Sequence, residues 1–451
     1  MVHSLLLKRI VMVLLVLFMG VVGTAVAADP VFHVADDGRI ELGLKTFGNM
    51  TEYYRSAEFI TQGRRCGAKP GKLTSMTSNI GVNNVADCSF SQTIIQQLYW
   101  PKQTYVIPIV FHVIHKTNGT GNIPDSRIYK QVEVLNEDYQ ALAGTLGEQG
   151  FNVHVRFELA GITRTANNRW FDDENEVDYK SALGWDQNRF LNIYVNTASG
   201  YLGYSTFPQE STGTVYDGVV VLYSACGGRN QGEAPYDQGR TLTHEIGHYL
   251  GLFHTFEGGC GLGYTEGDLI ADTNPEKEAH FDCVATTSCG SPDPIHNYMD
   301  YTDDLCMWEF TSEQANRAVC GLLNYRAQAF HVDGGSAEGE IFVRHVTMEL
   351  RKTKKGTYRA RTVVVVRDEQ GVVVPDAIVS VRWGGVLQGS DFATTNSRGR
   401  AVLLSSEAET PGTMTVIVTN VFKAEKYYNP HYAAIFSRVA DAVSPTASSN
   451  Q

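Results

Sequence analysis

The segment THEIGHYLGLFHTF, residues 243–256, constrains this chain more than any other. His244 and His248 are four residues apart, so a helix stacks them on one face where both imidazoles reach one ion. Glu245 is rotated to the side of that pair, where a carboxylate touches a water at the ion without ligating the ion itself. Gly251 frees the backbone for a sharp turn, and the chain then folds back to bring His254 up as a third ligand. Three protein nitrogens leave a fourth corner open, as in a catalytic zinc site; a structural site is more often closed by four protein ligands.

The 451 residues suffice for two or three domains, each burying its own core. Lys8 and Arg9 precede an apolar run over 10–22 and the small residues GTAVAA. Residues 1–28 therefore read as an export signal cut after Ala27 or Ala28, with an uncleaved anchor as the alternative that the short run disfavours. No later segment is long and apolar enough to span a bilayer, so a soluble, secreted, extracellular protein is expected. Net charge is −12 with both signs interspersed, which argues against a nucleic-acid partner. Eight cysteines in an exported chain favour disulfides.

Residues 29–100 are mixed and polar, contain GRRCGAKPGK and have no long periodic element, so they read as a pro-segment or linker rather than a core. From Thr104 the β-branched run TYVIPIVFHVIHK predicts a buried strand. SRIYKQVEVLNEDYQALA follows with helical spacing, Ile128, Val132, Leu135 and Tyr139 on one face. Three strand candidates come next, VHVRFELA, FLNIYVN and DGVVVLY, and the alternation predicts an α/β (α+β) domain over 101–332. After the Gly-, Ser- and acid-rich 331–340, the short runs IFVRHVTMEL, YRARTVVVVRD, AIVSVRW, RAVLLS and TMTVIVT predict an all-β sandwich over 337–430. Residues 431–451 form a tail expected to fray.

The HExxHxxGxxH spacing, with Met299 further on in NYMDY, resembles the metzincin metallopeptidases. HEIGHYLGLFHTFEGGC and PIHNYMDYTDDLCMWEFT resemble the pappalysin family within that clan. The resemblance extends through FLNIYVN, LGYSTFP, DGVVVLY and QGRTLTHEIGH, over roughly residues 100 to 330, and stops short of the C-terminal stretch. It implies a metzincin-like domain with a twisted mixed sheet, an active-site helix ending near Gly251 and a loop-rich lower part. Carried over by position, His244, His248 and His254 would bind zinc, Glu245 would be the general base, and Met299 would form the turn below the metal. Tyr301 would stabilise the tetrahedral intermediate, with plain packing as its other reading.

The resemblance further implies structural calcium in EGDLIADTNPEK, where Asp268, Asp272 and Thr273 offer hard oxygens. A solvated acidic loop competes with that, and ADTNP interrupts the Asp-Thr-Pro run usual in relatives. Four clustered cysteines allow three pairings, of which the resemblance implies Cys260 with Cys289 and Cys283 with Cys306; Cys226 with Cys320 would be a further bridge. Cys66, in RRCG, would hold the enzyme latent by occupying the open zinc position as a thiolate, or would pair with Cys88. LGYSTFP would line the cleft as an edge strand to which a peptide substrate adds. Asp303 and Asp304 would make a primed-side pocket acidic, matching a family preference for arginine or lysine beside the scissile bond.

His112, His115, His154, His280 and His296 have no partner spacing and read as structural. Asn49 and Asn118 lie in N-x-T sequons. The C-terminal stretch resembles immunoglobulin-like modules appended to secreted enzymes. The chain thus reads as a latent, secreted zinc endopeptidase acting on proteins or peptides. The competing class is a catalytically silent binding or adhesion protein, from which the retained base Glu245 discriminates.

Overall fold

The computed structural model describes residues 30–68, 85–228, 230–332, 340–368, 370–387, 390–410, 414–423 and 426–428. The expected signal peptide and tail lie outside them. In chain order, β1 (Phe32–Val34), β2 (Ile40–Leu42) and β3 (Lys45–Phe47) form an antiparallel sheet, followed by the short helices α1 (Met50–Tyr54) and α2 (Ala57–Thr61). Next come β4 (Tyr105–His115), α3 (Asp125–Tyr139), β5 (Val155–Ala166), α4 (Asn168–Phe171), α5 (Glu176–Leu183), β6 (Leu191–Asn196), β7 (Gly203–Ser205), α6 (Pro208–Ser211), β8 (Val219–Leu222), α7 (Arg240–Tyr249), α8 (Ser312–Tyr325) and β9 (His331–Val332). The remaining strands are β10 (Glu340–Lys352), β11 (Tyr358–Asp368), β12 (Ile378–Gly385), β13 (Ser390–Thr394), β14 (Arg400–Leu404), β15 (Met414–Phe422) and β16 (Tyr427–Tyr428).

The frame of the domain expected to be catalytic is the mixed sheet β5-β4-β6-β8-β7. β4 is buried over all but its last residue, as its unbroken apolar run requires of a strand covered on both faces. β5 and β6 flank it in parallel, β8 runs parallel to β6, and β7 is the antiparallel edge. α3 lays Ile128, Leu135 and Tyr139 onto the main core, with Val132 partly covered, and α7 crosses the same side. Thr311 and Gln314 open α8 with a reciprocal capping box, in which the Thr311 Oγ1 accepts from the Gln314 backbone N–H and the Gln314 Oε1 from that of Thr311.

Residues 30–68 depart from the linker-like reading. Phe32, Tyr53, Tyr54 and Phe59 are buried in a cluster completed by Tyr194, Leu202, Val220 and Tyr236 of the catalytic frame. This segment has a core, but half of that core belongs to another part of the chain. Residues 85–100 likewise pack on the catalytic frame: Arg317 of α8 donates to the carbonyls of Ser89 and Gln92.

C-terminally, the sheets β14-β11-β10-β16 and β13-β12-β15 face each other across the apolar residues of one cluster. β13 carried no separate sequence signal. Ile378 and Phe422 of this sandwich bury against Val110, Ala160, Trp185 and Phe190 on the catalytic frame, and the Trp185 and Phe392 rings lie 4.2 Å apart.

Candidate active site

Every residue of α7 is buried. Its first turn is capped from outside the helix, because Asp304 Oδ2 accepts the backbone N–H groups of Gln238 (2.9 Å) and Arg240 (3.1 Å). At its far end Gly251 has φ +97°, a left-handed conformation that glycine adopts without steric cost. The reversal brings His254 back over the helix. His248 Nε2 then lies 3.1 Å from His244 Nε2 and 3.0 Å from His254 Nε2. Three lone pairs converge on one point, as the eleven-residue spacing predicts.

Two of these rings are oriented by the backbone. His244 Nδ1–H donates to the Tyr298 carbonyl (2.7 Å) and His248 Nδ1–H to that of Leu252 (2.8 Å), which leaves Nε2 unprotonated for a metal. Burial pushes His248 down to about 4, and burial with the neighbouring imidazoles pushes His244 and His254 well below the usual histidine range. Neutral, converging imidazoles are the donor set that zinc takes, so the residues present fit that ion. Met299 lies directly beneath: a side chain at Gly247 would meet its sulphur at 2.4 Å.

Glu245 sits beside the triad against Gly203 of β7, where a Cβ would approach the Glu245 Cγ to 2.8 Å. Its Oε1 is enclosed with no hydrogen-bond partner among the described residues, and burial pushes the carboxyl up to about 8. Cys66 Sγ–H donates to Glu245 Oε2 at 3.4 Å, and Cys66 completes a cluster of four ligand-type atoms with the three histidines, all within 4.8 Å. Tyr301 leans over from the opposite side; its ring is 4.9 Å from that of His254, and its hydroxyl donates to the Cys66 carbonyl at 3.4 Å. Backbone bonds from Leu202 N–H to the Arg64 carbonyl (3.1 Å) and from Gly67 N–H to the Gly203 carbonyl (2.9 Å) tie the N-terminal segment to the cleft edge read from LGYSTFP.

Arg65, part of RRCG but given no role of its own by the sequence, fills the neighbouring pocket. It is fully buried, 3.5 Å from Asp304 Oδ1, donates to Thr241 Oγ1 (3.1 Å), and lies 5.0 Å over the Tyr236 ring. Of the two acidic residues expected there, Asp304 faces this guanidinium directly. Asp303 is half-buried, and burial with the adjacent Asp304 raises its carboxyl to about 6.

The cysteines separate the readings left open by sequence. Cys260 pairs with Cys289 and Cys283 with Cys306. Cys320 pairs with Cys88, so the expected Cys226–Cys320 bridge and the alternative Cys66–Cys88 bridge are both corrected. Cys66 and Cys226 are free and buried. Partners 232 residues apart leave no local spacing from which sequence could choose.

The three oxygens expected at a calcium site do not share one focus. Asp268 and Thr273 are joined by a 2.7 Å hydrogen bond, whereas Asp272 Oδ2 accepts from Ser312 and Glu313 at the start of α8. Of the histidines read as structural, His112 is held between Thr163 and Asn192 and stacks on Tyr194, and His296 stacks on Trp308. His280 instead faces Glu276 and Asp300.

The profile of peptidase family M43, described as pregnancy-associated plasma protein-A, matches residues 153–323. An extracellular metalloprotease of Verticillium alfalfae is 40% identical over 239 residues, spanning 51% of this chain and 81% of the relative. One of Arthroderma benhamiae is 34% identical over 290 residues, spanning 62% of this chain and 97% of the relative. Among solved structures, mature mirolysin of Tannerella forsythia in complex with a cleaved peptide is 32% identical over 51% of this chain and 100% of that one, with a TM-score of 0.42.

Proposed function

The chain belongs to the pappalysin family of zinc metallopeptidases, and from that premise we propose that it is a secreted endopeptidase, made latent by its own N-terminal segment and selective for a basic residue beside the scissile bond. One observation carries the reading: the dipeptide Arg65–Cys66 fills two adjacent positions of the cleft at once. The Cys66 thiol stands at the corner that the three histidines leave open, and the Arg65 guanidinium stands against Asp304. A segment that excludes water from the first and substrate from the second keeps the enzyme silent. A pocket that accommodates the chain's own arginine is suited to an arginine or lysine of a substrate.

His244, His248 and His254 would hold the zinc. Bound there, zinc supplies Lewis acidity toward water and the scissile carbonyl. Glu245 accepts the proton of the attacking water on its free Oε1 and passes it to the leaving amine. The Tyr301 hydroxyl, released from the Cys66 carbonyl when the segment departs, donates to the oxyanion. Once the segment that bonds Gly67 to the Gly203 carbonyl departs, β7 offers an edge along which an extended peptide pairs.

The latent segment ends before Cys88 in this reading, because the Cys88–Cys320 bridge and the contacts of Arg317 bind residues 85–100 to the catalytic frame. Asp268 and Thr273 are retained as oxygen donors to calcium, while Asp272 serves α8. Mass spectrometry of the purified precursor during self-activation tests the proposal: a new N-terminus between 68 and 88, formed after metal reconstitution and not in Glu245→Gln, is expected. A Glu245→Gln chain that matures and hydrolyses peptides like the parent would refute it.

A further inference from the structure

Beneath the histidine triad a second group of ligand-type atoms converges. Glu276, His280 and Asp300 each offer one, all within 4.8 Å of one another. Glu276 and Asp300 are both 0% exposed. His280 Nδ1 is 2.5 Å from Glu276 Oε1, and the His280 backbone N–H donates to Asp300 Oδ1 at 3.2 Å. Asp300 Oδ2 is enclosed with no hydrogen-bond partner among the described residues.

His280 is the one basic side chain that contacts Glu276 among the described residues, so two carboxylates shut away from water carry more negative charge than one imidazole can neutralise, and burying unpaired charge is costly. Among the described residues no lysine or arginine forms an ion pair with Glu276 or Asp300, and Arg65, whose field reaches Asp300, is committed to Asp304. The imidazole is oriented as a ligand would be. Its Nε2 faces Thr286 Oγ1 at 2.5 Å and Asp293 Oδ2 at 3.7 Å, so the ring proton belongs on that side and Nδ1 keeps its lone pair toward the carboxylates.

We propose that Glu276, His280 and Asp300 bind a second divalent cation of the zinc class, separate from the catalytic ion. One imidazole nitrogen with two carboxylate oxygens suits zinc or a similar first-row ion, whereas calcium needs six to eight oxygens. The ion has a structural position. Glu276 also accepts from Thr255, the residue after His254, at 2.8 Å, and Asp300 follows Met299 directly. The cation therefore ties the loop closed by the Cys260–Cys289 disulfide to both the third histidine and the methionine turn.

The test counts metal in the full-length chain carrying Glu245→Gln, which prevents self-cleavage. After loading with zinc and exhaustive dialysis, elemental analysis is expected to give two equivalents per chain. His254→Ala and His280→Ala should each give one, with the His280 variant also melting at lower temperature in zinc. Asp300→Asn, which preserves shape, provides a second variant should His280→Ala fail to fold, and it should also give one. One equivalent in the parent, two in both His280→Ala and Asp300→Asn, or a site filled by calcium in preference to zinc would overturn the proposal. None of these counts depends on latency or on substrate preference.

Discussion

Replacing Arg65 with alanine tests whether one pocket serves both latency and selectivity. Arg65 and Asp304 are each fully buried, and breaking a buried ion pair by removing one partner costs about 3–5 kcal/mol. The low end applies here. The pair is 3.5 Å apart, and Asp304 keeps the backbone N–H groups of Gln238 and Arg240 when the guanidinium is gone. About 3 kcal/mol, at 1.36 kcal/mol per tenfold change, corresponds to a roughly 150-fold larger population of precursor with an open cleft. Initial hydrolysis of a quenched fluorescent peptide by the uncleaved precursor, with chain integrity followed by mass spectrometry, should rise by about that factor. In the mature enzyme, Asp304→Asn should lower kcat/KM for a peptide with arginine beside the scissile bond far more than for one with leucine. An Arg65→Ala precursor as silent as the parent would refute the lock, and an unchanged arginine-to-leucine ratio in Asp304→Asn would refute the pocket.

Tyr301→Phe keeps the ring packing against His254 and Phe256 but removes the hydroxyl; kcat should fall by roughly 100-fold or more, the usual loss for an oxyanion donor, with little change in KM. Asp138, buried among Thr243, Tyr298 and Arg240, is raised by burial from 3.8 to about 6. A folded value above the unfolded one means stability that is complete below pH 3.8 and lost as pH rises through 6, on the order of 3 kcal/mol for this group. Urea unfolding of wild type against Asp138→Asn should therefore show the wild type losing relative stability by about that amount between pH 4 and 7, and a constant difference would contradict this. Trp185→Ala removes the ring that packs on Phe190 and Phe392; it should destabilise the junction with the sandwich by about 3 kcal/mol or more, read as a lower melting temperature. Removing residues 337–451 should expose the same face and make the catalytic frame prone to association.

The helix α7 was legible because its chemistry is periodic: two histidines one turn apart and a glycine where the chain must reverse specify a geometry without help from distant residues. β4 was legible for a related reason, since an apolar run with no polar interruption fits only a strand covered on both faces. The N-terminal segment was not legible. Its strands are three residues long, too short to display alternation, and Phe32, Tyr53 and Phe59 find burial only against Tyr194, Leu202 and Tyr236. The partner of Cys88 and the surroundings of His280 were hidden similarly, because they depend on Cys320 and Asp300, which the fold alone brings near.

Arg65 shows what that concealment has in common with function. In sequence it is one of two adjacent arginines before a cysteine, and its neighbour Arg64 has a different environment, bonded to the Ser199 carbonyl and lying 5.1 Å over Tyr201. Arg65 instead faces Asp304, which also caps the helix that carries His244 and His248. On the proposed reading the same carboxylate joins three tasks: it caps α7, it faces Arg65, and it would face the substrate side chain. On that reading a substitution there changes selectivity and latency together. Any variant of Asp304 selected for a neutral substrate should also release Arg65 and mature early, and the two effects should track each other across a series of side chains at this position.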